Sequence, residues 1–259
     1  MNCEVGEIIE ALHAGANLPI DLTKIIESEG NIRLRPANYG SKFDDRIEYV
    51  PDRKIFILYH PASVSPRVRF SIAHELGHFY IPGHKRLLLA GKCHNSIVGY
   101  VSDKRLEREA DEFAAHLLVP EAYLNTAIRR RTFLTLKDLL GMANELQVSA
   151  TAMAIRYARA TPEPCAVMLL RNGQQIFYVA SDEMEYVGFQ HRGRRDIPWN
   201  SASAEAAKNE GSGEVFEKEW DSDAWFSKRK AECKSWEEAF PLGHTGLVLT
   251  MLSNPSYNG

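Results

Sequence analysis

Residues 70–80 read FSIAHELGHFY, a run whose apolar residues recur at helical spacing and predict a helix over about 67–80. His74 and His78 lie four residues apart, so both imidazoles face one side of such a helix and can reach a single cation. Glu75 lies beside that face, where a carboxylate can act as a general base on water. The stretch therefore predicts a metal-dependent hydrolytic site, with His74 and His78 as ligands and Glu75 as the catalytic residue.

A second helix is predicted over about 103–118, because residues 107–120 read EREADEFAAHLLVP and Pro120 ends the helical pattern. A catalytic zinc site normally takes three protein ligands and keeps one position open. Glu107 and Asp111 share one face of this helix. We therefore expect Glu107 to be the third ligand and Asp111 to accept a hydrogen bond from a ligand histidine. The alanines of the same stretch allow the two helices to approach closely.

Two alternatives stay open for this acidic helix. Glu109 is a rival ligand, but it points away from the face that carries Glu107 and Asp111, and is more typical of a solvated surface charge. The whole helix could also be an exposed charged face, although its alanines and the run Leu117–Pro120 indicate a buried side. The expected metal is Zn²⁺, and two imidazoles with a carboxylate also accept Mn²⁺ or another divalent cation.

His84, Cys93 and His94 follow the first motif and carry atoms that can bind metals. Their spacing is irregular, so we interpret them as ordinary loop residues rather than a second metal site. Tyr80 and Tyr100 are candidates for stabilising an oxyanion, but in a chain with ten tyrosines the sequence selects neither of them.

The composition is that of an ordinary globular protein: 44% of the 259 residues are hydrophobic and 25% are charged. The net charge of −3 gives no global basic field to attract nucleic acid. No apolar run approaches the roughly 18 residues that span a bilayer, and the acidic first residues do not resemble a signal peptide. The four cysteines lack C-x-x-C spacing, so we expect a cytoplasmic protein with reduced thiols and no membrane partner.

Short helices and one hairpin are predicted around the two motifs. The predicted elements are helices at 4–14 and 19–30, strands at Arg46–Val50 and Lys54–Tyr59, a loop at 82–103 with a short helix near Lys85–Ala90, and helices at 135–144 and 149–158. The last two helices resemble a helix-turn-helix, with Arg129–Arg131 upstream and Arg156 and Arg159 on the second helix. The acidic net charge makes direct DNA binding the less favoured interpretation.

The composition changes after the Pro-rich linker at 161–164, and a smaller α+β domain is predicted beyond it. Its predicted elements are strands at Cys165–Arg171 and Gln174–Ala180 joined by Asn172-Gly173, a loop at 200–214 and a strand at Leu242–Leu252. His191–Arg195 form a basic loop that could hold an anion, or is simply solvated. Five aromatic residues are expected to fill the core of this domain or to line a ligand pocket: Trp199, Trp220, Trp225, Trp236 and Phe240.

The two motifs taken together resemble the ImmA/IrrE family of zinc-dependent metallopeptidases, over roughly residues 5–160. By that resemblance, the two histidines of the first motif and Glu107 bind the metal, and Glu75 is the general acid and base. Asp111 matches a position that is often Asn or Asp in the family.

The resemblance also implies the architecture of the chain, which is expected to be α+β. A mainly helical, gluzincin-like metallopeptidase core with a small β-sheet is expected at 1–120, and a helix-turn-helix-like helical segment at 121–160. An α+β regulatory domain is expected at 161–259, because some family members add a sensor-like domain that is similar to a GAF fold.

By the same resemblance, family members cleave a partner transcriptional repressor and so release the genes of a mobile element or a stress response. The expected function is a metal-dependent endopeptidase that acts on such a partner protein, and the edge of the predicted hairpin at 46–59 is a place where an extended peptide could add. Two alternatives stay open: a DNA- or protein-binding regulator whose peptidase site is weak or unused, and the proteolytic half of a toxin–antitoxin pair.

Overall fold

The computed structural model describes residues 3–37, 46–61, 65–91, 104–131, 133–186, 198–221, 225 and 234–254. The chain divides into two compact units, the first made of residues 1–121 and 144–149 and the second of 122–143 and 150–259. Both contain helices and one small sheet, which confirms the predicted α+β class. The finer division at residues 120 and 160, and the likeness of the last part to a GAF fold, stay predictions. No described helix is long and apolar enough to cross a membrane.

A three-stranded sheet lies in the first unit. Its strands are β1 (Ile32–Pro36), β2 (Arg46–Val50) and β3 (Ile55–His60), in the order β1-β3-β2. β2 and β3 form the predicted antiparallel hairpin, and a short 3₁₀ turn at Pro51–Arg53 joins them. β1 pairs with β3 in parallel and was not predicted. Among the described strands, therefore, β2 lies at an edge of this sheet and β3 lies at its centre.

The described residues of the first unit also form five helices: α1 (Cys3–His13), α2 (Leu22–Ser28), α3 (Pro66–Tyr80), α4 (Pro82–Leu89) and α5 (Lys104–Leu118). α3 begins where the sequence supplies two initiation signals. The Ser65 hydroxyl accepts a hydrogen bond from the Val68 amide at 3.2 Å, and Pro66 occupies the first helical turn. α4 starts earlier than its predicted Lys85, and the rest of the predicted 82–103 loop lies largely outside the described residues.

α3 and α5 pack against each other at very short range. A Cβ placed on Gly77 of α3 would lie 3.1 Å from the Ala110 Cα and 3.2 Å from the Phe113 Cβ of α5. Ala110, Phe113 and Ala114 are fully buried. Glycine and alanine at this crossing therefore let the two helices approach closely enough for side chains of both to meet at one point.

In the second unit, the described residues form three helices and an antiparallel sheet with two further short helices. The helices are α6 (Glu121–Arg130), α7 (Leu136–Leu146) and α8 (Ala150–Ala160). The first residue of α6, Glu121, and the last three residues of α7, 144–146, belong to the first unit. The strands are β4 (Cys165–Arg171), β5 (Gln174–Ala180), β6 (Phe216–Asp221), β7 (Lys234–Pro241) and β8 (Leu247–Ser253), in the order β5-β4-β8-β7-β6. The short helices are α9 (Asp182–Tyr186) and α10 (Ala202–Lys208).

Several sequence predictions for the second unit are wrong. Residues 202–208 form α10 instead of a loop, because Ser201 caps the helix and its alanines are buried against the sheet. α6, β6 and β7 were not predicted. Trp199 was expected in the core or a pocket, but it is 85% exposed, whereas Trp225 does pack on the core. Arg156 is buried, so it is not available for the DNA contact that was considered.

Adjacent glutamates on β7 occupy different buried environments. The Glu237 carboxylate accepts hydrogen bonds from the Ser203 amide at 2.9 Å and hydroxyl at 2.6 Å, and from the Trp225 indole at 3.2 Å. Glu238 accepts one from the Leu136 amide at 2.9 Å, while its Oε2 has no hydrogen-bond partner among the described residues. Burial raises the pKa of Glu238 to about 7, although the Leu136 hydrogen bond opposes the shift.

Glu238→Gln is expected to stabilise the protein at pH 8 and to have little effect near pH 4.5. The pKa of Glu238 rises from 4.5 to about 7 on folding, so the native state binds the proton more tightly and loses stability as the pH rises between these values. The penalty is complete above about pH 7, where it corresponds to at most about 3 kcal/mol. Glutamine keeps an acceptor for the Leu136 amide and carries no charge.

Urea unfolding at the two pH values measures this difference. Glu214→Gln, which changes an exposed glutamate of the same unit, is the matched control and should show no such pH-dependent gain. An equal change in the free energy of unfolding at pH 4.5 and pH 8 would contradict the assignment of a raised pKa to Glu238.

Candidate metal centre

His74, His78 and Glu107 meet where α3 crosses α5. The Nε2 atoms of the two histidines are 3.2 Å apart. The Glu107 carboxylate lies 3.3 Å from His74 Nε2 and 3.8 Å from His78 Nε2. The three residues form a cluster of potential metal-binding atoms that all lie within 4.8 Å of one another. The helical spacing within each motif and the close crossing of the helices produce this cluster.

The cluster fits a single divalent cation. Donor atoms about 2.0–2.2 Å from a tetrahedral Zn²⁺ are separated by roughly 3.3–3.5 Å, which is close to the distances among these three side chains. Both histidines are buried and Glu107 is half-buried. Two imidazoles and one carboxylate are also a donor set that several first-row divalent metals accept. The structure thus supports a divalent-metal site, and these donors do not distinguish Zn²⁺ from other divalent metals.

Asp111 and Glu75 lie next to the cluster in the positions that their spacing predicted. The Asp111 carboxylate is 2.9 Å from His74 Nδ1 and can accept a hydrogen bond from it. That bond leaves Nε2 of His74 directed at the cluster, the arrangement by which outer carboxylates orient a metal-binding histidine. Glu75 is buried on the same turn of α3. The structure brings all five predicted site residues together, and their roles in binding and catalysis are proposals taken up below.

The charges around His74 set its protonation in the protein without metal. Burial lowers the pKa of His74, but the hydrogen bonds to Asp111 and Glu107 and the negative charge of Glu75 outweigh burial and raise it to about 10. An imidazolium has no free lone pair for a cation. A cation and a proton therefore compete for Nε2 of this histidine.

His84 is buried against His78, although the sequence predicted an ordinary loop residue. Its Nδ1 is 3.1 Å from His78 Nδ1, and its Nε2 is 3.1 Å from a carboxylate oxygen of Glu109. Glu109 also accepts a hydrogen bond from Arg105 Nε at 2.7 Å, and the Arg105 and His84 hydrogen bonds lower the pKa of Glu109. Glu109, the rival ligand, thus lies on His84 and outside the three-residue cluster.

The remaining candidates divide into two groups. Tyr80 donates a hydrogen bond at 2.5 Å to Glu29, the C-cap residue of α2, so its hydroxyl is not presented for an oxyanion. Cys93, His94 and Tyr100 lie outside the described residues, as does the basic loop His191–Arg195. Of the three residues considered for a second metal site, His84 is the one within the described residues, and it contacts His78 of the first cluster.

Two histidines and a carboxylate on one helix, with a further carboxylate from a second helix, are typical of metallopeptidases with the His-Glu-x-x-His motif. Residues 29–157 match the family model of the M78 peptidases, described as the IrrE N-terminal-like domain. Residues 29–157 thus form a domain of this family, which confirms the resemblance that the motifs indicated.

Among solved structures, a Mycobacterium tuberculosis transcriptional regulator is similar to this chain with a TM-score of 0.62. The similarity covers 98% of this chain and 77% of the regulator, at 12% sequence identity. At that identity the likeness concerns the fold alone. A search of curated proteins finds no match.

Proposed function

We propose that this chain is a zinc-dependent endopeptidase that hydrolyses a peptide bond in a partner protein. The observation that carries the proposal is the cluster of His74, His78 and Glu107, whose donor atoms have the separations expected around one tetrahedral cation. Membership of a peptidase family supports the reaction class independently of that geometry.

His74, His78 and Glu107 would hold the metal, and Asp111 would orient His74 through the hydrogen bond to Nδ1. When bound, a divalent cation supplies Lewis-acid activation of the water and of the scissile carbonyl. Glu75 takes the proton from the attacking water and then delivers it to the leaving amine, as a general base and then a general acid. The position of Glu75 supports this role, because its carboxylate is buried beside His74 and its charge acts on that ring.

The substrate is proposed to be a transcriptional repressor of a mobile element or a stress response. The family resemblance implies such a substrate, and the similar fold of a protein described as a transcriptional regulator is in keeping with a regulatory setting. An extended segment of the substrate could add to β2, an edge of the three-stranded sheet. A repressor substrate and the free thiols of Cys3 and Cys165 favour action in the cytoplasm.

The competing function is a DNA- or protein-binding regulator whose peptidase site is weak or unused. The description of the structural neighbour as a transcriptional regulator favours it, and α7 and α8 follow one another as the predicted helix pair does. The burial of Arg156 weakens the DNA-binding form of this function, because it removes one of the basic residues that the predicted reading helix would offer.

The deciding experiment compares newly formed protein N-termini in host cells that express the wild type or Glu75→Gln, with and without DNA damage. We expect a discrete new terminus with the wild type alone, because glutamine cannot accept the proton of the attacking water. Glu112→Gln, which alters an exposed carboxylate of α5, should give the wild-type profile. Identical profiles for wild type and Glu75→Gln under both conditions would favour the regulator without peptidase activity.

A further inference from the structure

His78 contacts a further imidazole, that of His84, and His84 contacts a further carboxylate, that of Glu109. His84 comes from α4 and its ring centroid is 5.0 Å from that of His78. Glu109 comes from α5, two residues beyond Glu107. His84 is 1% exposed, so its nitrogens must be satisfied within the protein. Nδ1 of His84 lies next to His78, and Nε2 of His84 lies next to Glu109.

Only one assignment of protons satisfies these contacts when His78 offers Nε2 to a cation. The hydrogen of His78 is then on Nδ1, which donates across 3.1 Å to Nδ1 of His84. That acceptor nitrogen carries no proton, so the hydrogen of His84 is on Nε2. Nε2 in turn donates to the Glu109 carboxylate at 3.1 Å. Each nitrogen in the series from Glu109 to His78 thus has one defined role.

The two ligand histidines are supported in different ways. His74 reaches a carboxylate directly, through the 2.9 Å contact of Nδ1 with Asp111. The Nδ1 atom of His78 contacts His84 instead, and His84 in turn contacts the Glu109 carboxylate. Arg105 Nε donates to the other oxygen of Glu109 at 2.7 Å, which holds that carboxylate in position. Asp111 therefore supports His74 directly, whereas Glu109 supports His78 through His84.

We propose that His84 and Glu109 are positioning residues that fix the ring orientation and tautomer of His78 and so support metal binding at Nε2. This inference rests on the metal site proposed above. Partners of this kind contribute about 10–100-fold to metal affinity when they act on a ligand histidine. Neither residue touches the substrate or the metal in this arrangement, so their effect passes entirely through His78.

The test measures the dissociation constant for Zn²⁺ of the purified full chain by competition with a chromophoric chelator. His84→Phe keeps a ring of similar size and removes both nitrogens, so Zn²⁺ binding should weaken about 10–100-fold. His84→Asn places an amide oxygen near the position of Nδ1 and should recover much of that loss. Glu109→Ala should also weaken binding. Glu112→Ala, which changes an exposed glutamate three residues further along α5, should bind Zn²⁺ as the wild type does.

Two spectroscopic measurements separate positioning from a general structural role. In the zinc-loaded wild type, nitrogen-15 resonances should show His78 protonated at Nδ1 and His84 at Nε2. With Co²⁺ in place of Zn²⁺, the visible absorption bands should shift in His84→Phe and return towards the wild type in His84→Asn. A folded His84→Phe protein with wild-type zinc affinity and an unchanged cobalt spectrum would overturn the inference alone. A wild type that binds no Zn²⁺ would overturn the metal site and this inference together.

Discussion

Glu107→Ala is expected to weaken Zn²⁺ binding by at least about 10³-fold. Loss of a group that only orients a ligand costs about 10–100-fold, and Glu107 is proposed as one of three residues that touch the metal, so its removal should cost more. Its carboxylate lies 3.3 Å and 3.8 Å from the two imidazole nitrogens. Among the described residues, the cluster contains no second carboxylate that could take its place. Chelator competition measures the affinity, and circular dichroism of the metal-free protein checks that α5 persists.

Three glutamates of one helix make this prediction selective. Glu107→Ala should have the largest effect, Glu109→Ala a smaller one that passes through His84, and the exposed Glu112 should tolerate alanine without effect. The three substitutions remove the same charge from neighbouring positions of α5, so general electrostatics predicts similar losses for all of them. Similar losses, or a larger loss for Glu109→Ala than for Glu107→Ala, would contradict the assignment of Glu107 as the ligand.

The site was predictable because its information is local to two helices. Spacing of three or four residues places side chains on one face of a helix whatever the helix packs against, so His74 with His78 and Glu107 with Asp111 could be paired from sequence alone. The expectation that the two faces meet came from the chemistry of a three-ligand site and from small residues. The close contact of Gly77 with Ala110 is the packing counterpart of that expectation.

His84 was interpreted as an ordinary loop residue because its contacts with His78 and Glu109 are fixed by tertiary structure. It lies on α4, which begins just after α3 ends, and the change of direction at Pro82 places it beside the ring of His78. His84 comes six residues after His78, and this spacing does not place two side chains on one face of a single helix. Pro82 and the three leucines at 87–89 were the available signals for α4, and neither indicates where an imidazole points.

The errors in the second unit have a similar origin. α10 is rich in alanine and serine, a composition that resembles a loop until the sheet beneath it buries one face. β6 and β7 carry several charged residues, which is unusual for strands in a core. On β7, Glu237 and Glu238 can be buried because Ser203 and Leu136 donate hydrogen bonds to them. Such partners are distant in sequence, so hydrophobic alternation alone does not reveal these strands. β4 and β5 were predictable because Asn172-Gly173 specifies their turn locally.

Gly77→Val is expected to lower both the stability of the protein and its affinity for metal. Even the first carbon of a side chain at this position would lie 3.1 Å from the Ala110 Cα, which is backbone and cannot rotate away. The two γ-carbons of valine add to this overlap, and overpacking of this kind costs about 1–3 kcal/mol of unfolding free energy. Relief requires α3 and α5 to separate. Since His74 and His78 lie on one helix and Glu107 on the other, separation also pulls the proposed ligands apart.

Gly141→Val is the matched control, because Gly141 is also inside a helix and a Cβ there meets nothing within 4 Å. Valine has a slightly better helix propensity than glycine, so Gly141→Val should change the free energy of unfolding by only a few tenths of a kcal/mol, if at all. Urea unfolding of the metal-free protein measures the first effect of Gly77→Val, and Zn²⁺ competition the second. Equal behaviour of the two variants would mean that the close crossing of α3 and α5 does not limit the site. A loss of zinc affinity specific to Gly77→Val would instead tie the metal centre to the distance between these two helices.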